Sequence, residues 1–136
     1  DNSKEYKITK LHDLCYNPAN LKFGVICLNE YGNAIFSPIY ITFEIDKNIN
    51  PYYIKHYTTR FNFIRAVRKY EQGTVFERMA VSPEDFLKFN IKLPNIEMQN
   101  YIVNKLECMI RKINLEEKKL YKLQELKKGL MQNMFV

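Results

Sequence analysis

Basic and polar side chains cluster in one short stretch of this sequence, between residues 60 and 78. Guanidinium and ammonium groups neutralise phosphates, and arginine and glutamine can also hydrogen-bond to base edges in the DNA major groove. A Gly-Thr step in the stretch offers backbone N–H groups to a phosphate. The candidate contact residues here are Arg60, Arg65, Arg68, Lys69, Gln72, Thr74 and Arg78. A second polar set upstream consists of Asn17, Asn20 and Lys22.

The alternative interpretation is that these charges form an ordinary solvated helix face. A formal net charge of +6 favours a polyanionic partner, but basic proteins without one are common. Phe61, Phe63 and Tyr70 alternate with the cations, and we expect them to anchor the stretch in the core. Core packing is also the expected role of most of the ten Tyr and nine Phe.

A helix over about residues 62–72 would position the cations. Its spacing places Phe63, Val67 and Tyr70 on one face and Arg65, Arg68 and Lys69 on the other. Around it we predict a small mixed head of short strands and helices, consistent with an α+β fold. Strands are predicted over residues 21–28, 34–45 and 89–93, a helix begins after the N-cap Asn50, and another begins after a capping box at Ser82.

From about residue 96 to 134 the pattern predicts one long amphipathic helix. At about 1.5 Å per residue it would reach roughly 50 Å, whereas a head of this size measures about 30 Å. Its apolar stripe therefore needs a cover, and near-coiled-coil spacing favours a second long helix. The alternative is a hairpin at residues 114–117. The predicted partner interface comprises Ile102, Leu106, Ile110, Ile113, Leu120, Leu123 and Leu130.

No pattern of catalytic residues accompanies these elements. His12 and His56 lie apart without acidic or cysteine neighbours at ligand spacing, and no nucleotide- or cofactor-binding motif occurs. We therefore predict a protein that is not an enzyme and has neither a cofactor nor a metal. Three cysteines without CxxC spacing favour a reducing cytoplasm, and no apolar run is long enough for a membrane span. The predicted domains are a head, 1–94, and a helix, 95–136.

Two C-terminal segments follow a specific pattern. Residues 91–99 (IKLPNIEMQ) lead a predicted strand into a Pro-x-x-Glu-x-Gln helix start, and residues 123–132 (LQELKKGLMQ) end the helix with a Leu-Lys-Lys-Gly motif. Upstream, residues 16–18, 36–40 and 72–75 add weaker matches in a consistent order. Together these segments, which span nearly the whole chain, resemble the DNA-specificity subunit of type I restriction–modification systems.

The resemblance implies a target-recognition domain that reads one half of a bipartite site in double-stranded DNA. It implies that the helix acts as a spacer and docks modification (methyltransferase) subunits, with a restriction subunit in the complete assembly. The catalytic chemistry would belong to those partners. A full family member has two recognition domains and two helical regions, whereas this chain has one of each and lacks the usual opening strands of the head.

The chain is therefore expected to be a natural half-subunit, a truncated product or a fragment. The leading hypothesis is a homodimer that pairs through the C-terminal helix and restores two DNA-reading heads. The alternative is a protein-interaction or dimerisation module that has no independent DNA binding.

Overall fold

Strand β2 (Leu14–Tyr16) is the centre of the larger sheet, and all three of its residues are buried. It pairs antiparallel with β3 (Ile26–Leu28) on one side and with β5 (Ile41–Phe43) on the other. The computed structural model describes residues 6–72 and 80–135. A central strand has neighbours on both edges, so its backbone groups are paired inside the sheet and its side chains can be buried on both faces.

A second, two-stranded sheet joins β1 (Lys7–Thr9) to β4 (Ala34–Phe36), also antiparallel. The predicted strand over residues 34–45 is therefore wrong, because its two halves belong to different sheets. A turn separates them, closed by a hydrogen bond from the Tyr40 backbone N–H to the Ser37 carbonyl (3.0 Å). Pro38 lies inside that turn and has no N–H to donate to a sheet, which accounts for the interruption.

The predicted strand over residues 21–28 is only half correct. Residues Leu21–Phe23 form a 3-10 helix, and strand β3 begins at Ile26. Gly24 separates the two with a φ of 77°, and its N–H donates to the Leu21 carbonyl. This left-handed conformation is accessible to glycine and incompatible with a continuous strand. The predicted strand over residues 89–93 is also absent, since no neighbouring strand pairs with this described segment.

Local capping signals are confirmed. The side chain of Asn50 accepts hydrogen bonds from the backbone at the start of α1 (Pro51–Thr58), and Ser82 caps α3 (Pro83–Leu87) in the same manner. Between them lies α2 (Phe61–Val67), which continues as a 3-10 turn over Arg68–Tyr70. The regular α-helix is thus shorter than the predicted span of 62–72.

The head's core is largely aromatic. The ring of Tyr16 stacks on Phe86 at a centroid distance of 4.6 Å, and Phe63 meets both Phe86 and Phe89 edge to face. The buried Tyr16 hydroxyl donates to the carbonyl of Val81 (3.1 Å), and burial raises the pKa of this phenol. Core packing is therefore the role of these rings. Phe61 is a correction, because it is 76% exposed and does not anchor the head.

Helix α4 runs without interruption over Ile96–Met134, so the alternative of a hairpin at residues 114–117 is wrong. Together with the strands, this helix confirms the mixed α+β fold. The chain divides into two compact units at the step from Asn100 to Tyr101, so the first turn of α4 belongs to the head. Within the described ranges, no helix is long and apolar enough to cross a membrane.

The first turn of α4 is held by Gln99, whose side chain is buried. Its Nε2 donates to the Pro94 carbonyl (2.8 Å), and its Oε1 accepts from the Asn50 backbone N–H (3.0 Å). Asn50 also donates from Nδ2 to Asn100 Oδ1 (2.7 Å). These bonds connect the start of α4 to the N-cap of α1.

We expect Gln99→Leu to reduce the free energy of unfolding by about 1–3 kcal/mol, because it leaves the Asn50 N–H and the Pro94 carbonyl without partners. Urea unfolding followed by circular dichroism measures this change. Asn104→Leu, on an exposed position of α4, is the control and should change stability by less than about 0.5 kcal/mol. Equal effects of the two variants would contradict the anchoring role of Gln99.

Candidate nucleic-acid interface

Helix α2 separates its apolar and basic side chains. Phe63, Ile64 and Val67 are buried in the core. Arg65, together with Arg68 and Lys69 from the following 3-10 turn, is exposed. We call these three residues the cationic face. With Glu71 they line one shallow depression on the surface of the head. The burial of one side of α2 thus forces these basic groups together on the other.

The cationic face is only partly neutralised. Arg68 Nε lies 3.6 Å from Glu71 Oε2, a carboxylate whose side chain is 5% exposed. Among the described residues, neither Arg65 nor Lys69 has an acidic group within ion-pairing distance. The depression therefore presents excess positive charge to solvent, which is the electrostatic condition for holding a phosphate.

Arg60 stands immediately before α2 and is held in one orientation. Its guanidinium lies over the ring of Tyr57 at 3.8 Å from the centroid, and its Nε donates to the Tyr57 carbonyl (3.2 Å). Arginine stacked on an aromatic ring loses less conformational freedom when it binds an anion than a mobile side chain does. The residue is exposed, and its other guanidinium N–H groups can face a ligand.

The upstream polar set lies beside α2 in the structure. The 3-10 helix that carries Lys22 contacts α2, with Leu21 buried beneath it. Lys22 Nζ is 5.4 Å from the ring centroid of its neighbour Phe23, which is 75% exposed. The fold therefore brings a lysine and an exposed aromatic ring from one segment next to the helix that carries the cationic face.

Asn17 and Asn20 shape this segment. Asn17 is buried, and its Oδ1 accepts hydrogen bonds from the backbone N–H groups of Ala19 (3.1 Å) and Asn20 (3.2 Å). Asn20 is half-buried, and its carbonyl accepts from Phe23 N–H (3.0 Å). Asn17 thus builds the turn that presents Lys22, and its side-chain oxygen is occupied by that role.

Gln72 lies at the edge of the candidate interface. Its backbone forms two hydrogen bonds with Ala80, and its Nε2 donates to Asp85 Oδ2 (2.6 Å). The predicted contact residues Thr74 and Arg78 fall within residues 73–79 and lie outside the described part of the chain. Gln72 and Ala80 therefore form the described backbone contact on either side of residues 73–79.

Asp85 is the buried acid of this region. Lys88 Nζ donates to its Oδ1 (2.6 Å), and Ser82 and Gln72 donate to its Oδ2. The hydrogen bond from Lys88 is the main cause that lowers the pKa of this carboxyl, opposed by burial, and the same contact raises the pKa of Lys88. The carboxylate thus orients Gln72 and also accepts from the hydroxyl of Ser82, whose oxygen caps α3.

Sequence reasoning missed two exposed rings next to the basic groups, Phe23 and Phe61. Phenylalanine is normally buried, and the sequence therefore predicted Phe61 in the core and Phe23 within a strand. Their neighbours Lys22 and Arg60 were the only available signal, since an aromatic ring beside a cation is typical of surfaces that stack on bases. Within the described residues, no group of His, Cys, Asp or Glu side chains is arranged to hold a metal ion.

The sequence matches no protein-family model, and no curated protein matches it. The geometry of the site combines a cationic depression with neighbouring exposed rings.

We expect Asp85→Asn to destabilise the head at neutral pH. The variant should also lose less stability than the wild type when the pH is lowered. The folded-state pKa of Asp85 is lowered, so its stabilisation is present above the pKa of an unfolded Asp and disappears as the pH falls through the folded value. Thermal unfolding between neutral and strongly acidic pH measures this. Glu44→Gln, at an exposed position outside this network, is the control and should lower the stability at neutral pH less than Asp85→Asn does. If the stability of wild type and of Asp85→Asn fell equally with pH, the stabilising role of the hydrogen bonds to Asp85 would be contradicted.

Proposed function

We propose that this chain is a non-catalytic DNA-recognition subunit of the type I restriction–modification class. The observation that carries the proposal is the cationic face of α2, with two exposed cations that lack acidic partners among the described residues. Contacts of Lys and Arg with phosphates provide most of the affinity of DNA-binding proteins, and neighbouring side chains then read the base edges.

The neighbouring groups support duplex DNA as the ligand. Arg60 is held against Tyr57, and its other guanidinium N–H groups have no partner among the residues that the structure describes. Lys22 belongs to a segment that contacts α2. Arginine is the residue that most often reads guanine in the major groove. In this proposal the head reads one half of a two-part site, and methylation and cleavage come from modification and restriction subunits. The C-terminal sequence pattern of residues 91–99 and 123–132 supports that assignment.

The proposal also includes self-pairing through α4. Ile110, Ile113, Leu120, Leu123 and Leu130 are between 38% and 62% exposed, whereas Ile102 and Leu106 are half-buried. A stripe of this length is normally covered by another helix. A second copy would bring two heads to one DNA molecule, and the paired helices would set the spacing between the two half-sites.

Replacing Arg65 and Lys69 together by Gln tests the DNA proposal. If both cations contact phosphates, the slope of log affinity against log salt concentration should become less steep by about 2, with weaker binding to every duplex sequence. Fluorescence anisotropy with a labelled duplex at several salt concentrations measures the slope. The control, Lys47→Gln with Lys92→Gln, removes the same charge from exposed positions elsewhere and should leave the slope nearly unchanged.

A second candidate function is a protein-interaction module that does not bind DNA by itself. The exposed stripe of α4 favours it, because that surface fits a helical partner irrespective of the head. The same titration separates the candidates. Absence of duplex binding at low salt, even with a modification subunit present, would favour the interaction module.

The self-pairing is tested by mass in solution. Light scattering at tens of micromolar should give twice the mass of the single chain. Ile113→Asn should shift the protein towards monomer, because it places a polar amide in the covered stripe. Leu115→Asn is the matched control, since Leu115 is similarly exposed (58% against 54%) but lies on another side of the helix. A monomer in the wild type would refute self-pairing.

A further inference from the structure

The head carries two exposed phenylalanines, Phe23 and Phe61. Every other phenylalanine in the described part of the head is buried or half-buried, whereas these two are 75% and 76% exposed. A single exposed apolar side chain is common on protein surfaces and needs no partner. These two rings share a feature that chance exposure does not explain, because each directly follows a basic residue, Lys22 or Arg60.

Phe61 lies on the same side of α2 as the cationic face. Positions four residues apart are neighbours on a helix surface, which places Phe61 next to Arg65. Both residues are exposed, while Phe63, Ile64 and Val67 hold the opposite side of the helix in the core. The exposed ring is thus beside a cation that has no acidic group within ion-pairing distance among the described residues.

Arg60 adds a second flat group next to Phe61. Its guanidinium lies over the ring of Tyr57 at 3.8 Å from the centroid, and the residue is otherwise exposed. Guanidinium planes and aromatic rings are the two kinds of side-chain surface on which unpaired nucleobases stack. Arg60 and Phe61, consecutive in the chain, therefore provide adjacent stacking surfaces.

Phe23 has similar surroundings on the neighbouring segment. Lys22 Nζ lies 5.4 Å from the centroid of its ring, and the 3-10 helix that contains both residues contacts α2. Leu21 is buried beneath that helix and fixes it to the head. The second ring is therefore also held on a supported segment, beside a cation and next to the helix that carries Phe61.

No carboxylate interrupts the sequence around either ring. No Asp or Glu occurs between Asp46 and Glu71, a span that includes Phe61 and the cationic face, and none occurs between Asp13 and Glu30, a span that includes Phe23. A polyanion that approaches the rings meets cations from both segments, and electrostatic attraction favours its binding.

We infer that Phe61 and Phe23 stack on the unpaired bases of single-stranded DNA. The neighbouring cations, which are Lys22, Arg60 and the cationic face, contact its phosphates. In an intact duplex the faces of each base are covered by the adjacent base pairs, so a protein reaches only the base edges and the backbone. In a single strand the base faces are open, and a ring beside a cation is complementary to a base beside its phosphate.

This binding mode goes beyond the reading of a duplex. The choice of DNA as the polymer rests on the proposed function, whereas the stacking does not follow from it. Stacking accepts any base, because every base has an aromatic face, so the single strand binds with little sequence preference. Both modes use the same cations, and duplex and single strand should therefore compete for the head.

A labelled strand of about 15 thymidines is the probe, because it does not pair with itself and covers the usual site sizes of single-strand binding folds. Fluorescence anisotropy with the full-length chain at low salt measures its dissociation constant. Phe61→Ala and Phe23→Ala should each weaken binding by about fivefold or more, which is the lower end of the effect of losing one stacked base. Phe61→Tyr keeps the ring and should bind within about twofold of wild type.

Two controls separate stacking from other effects. Tyr31→Ala removes a ring that is 96% exposed but follows the acidic Glu30, and it should leave the affinity unchanged. A strand of equal length without bases keeps the phosphates, so wild type and Phe61→Ala should bind it equally. Equal affinity of wild type and both alanine variants for the thymidine strand, or no binding of that strand at low salt, would overturn the inference.

Tryptophan fluorescence gives an independent readout, since the sequence contains no tryptophan. Phe61→Trp introduces a single indole, whose emission should be quenched when a thymine stacks on it. Tyr31→Trp is the control and should keep its emission when the strand is added. Unchanged emission of the Phe61→Trp variant at saturating strand would contradict the stacking, because a ring that only supports the fold does not respond to the ligand.

A duplex of the same length is titrated on the same wild-type sample. A chain that binds the single strand with the expected dependence on Phe61, but does not bind the duplex, would refute the duplex proposal and support the stacking. A chain that binds the duplex, but whose affinity for the single strand is unchanged in the alanine variants, would refute the stacking and leave the duplex proposal intact.

Discussion

The buried phenol of Tyr16 joins parts of the head that are far apart in the sequence. Its ring lies against Phe86, and its hydroxyl donates to the carbonyl of Val81, 65 residues away. A buried hydroxyl without a partner costs about 1–3 kcal/mol, so this bond favours one relative position of the two segments. The backbone of Val81 also donates to the Pro18 carbonyl, which fastens the turn that follows β2.

The candidate interface depends on this connection. The turn built by Asn17 carries Lys22 to the side of α2, and the bridge between Gln72 and Ala80 ends next to Val81. Asp85 then binds the side chain of Gln72 and completes the cap of α3. The hydrogen bonds of Asn17, Gln72 and Asp85 therefore underlie an exposed surface of cations and rings. Sites that must fit a ligand closely depend on such support.

Apolar side chains have different surroundings in the head and in α4. The rings of the head are stacked in its interior, whereas the leucines beyond Met109 remain open to water in the single chain. Helical periodicity alone does not distinguish these cases, because it describes one face of a helix and not what covers that face. The exposed fraction of each side chain distinguishes the packed rings of the head from the uncovered leucines of α4.

Predictions from sequence succeeded where a structure depends on near neighbours. The caps at Asn50 and Ser82 use side chains and backbone groups two or three residues apart, and the length of α4 follows from an unbroken pattern. They failed for the span 34–45, where a turn at Pro38 sends the two halves into different sheets. Strand pairing involves residues distant along the chain, so apolar runs alone do not specify it.

The sequence by itself determined the mixed α+β class, the helix caps, the long amphipathic helix and the positive charge. Only the tertiary structure decided which of the basic residues share one surface. It placed Lys22 next to α2, buried the amide of Asn17 in a turn, and left Phe61 in solvent. The physical reason is that helix caps and periodicity are local properties of the chain. Burial and surface proximity instead depend on contacts between segments such as Tyr16 and Val81.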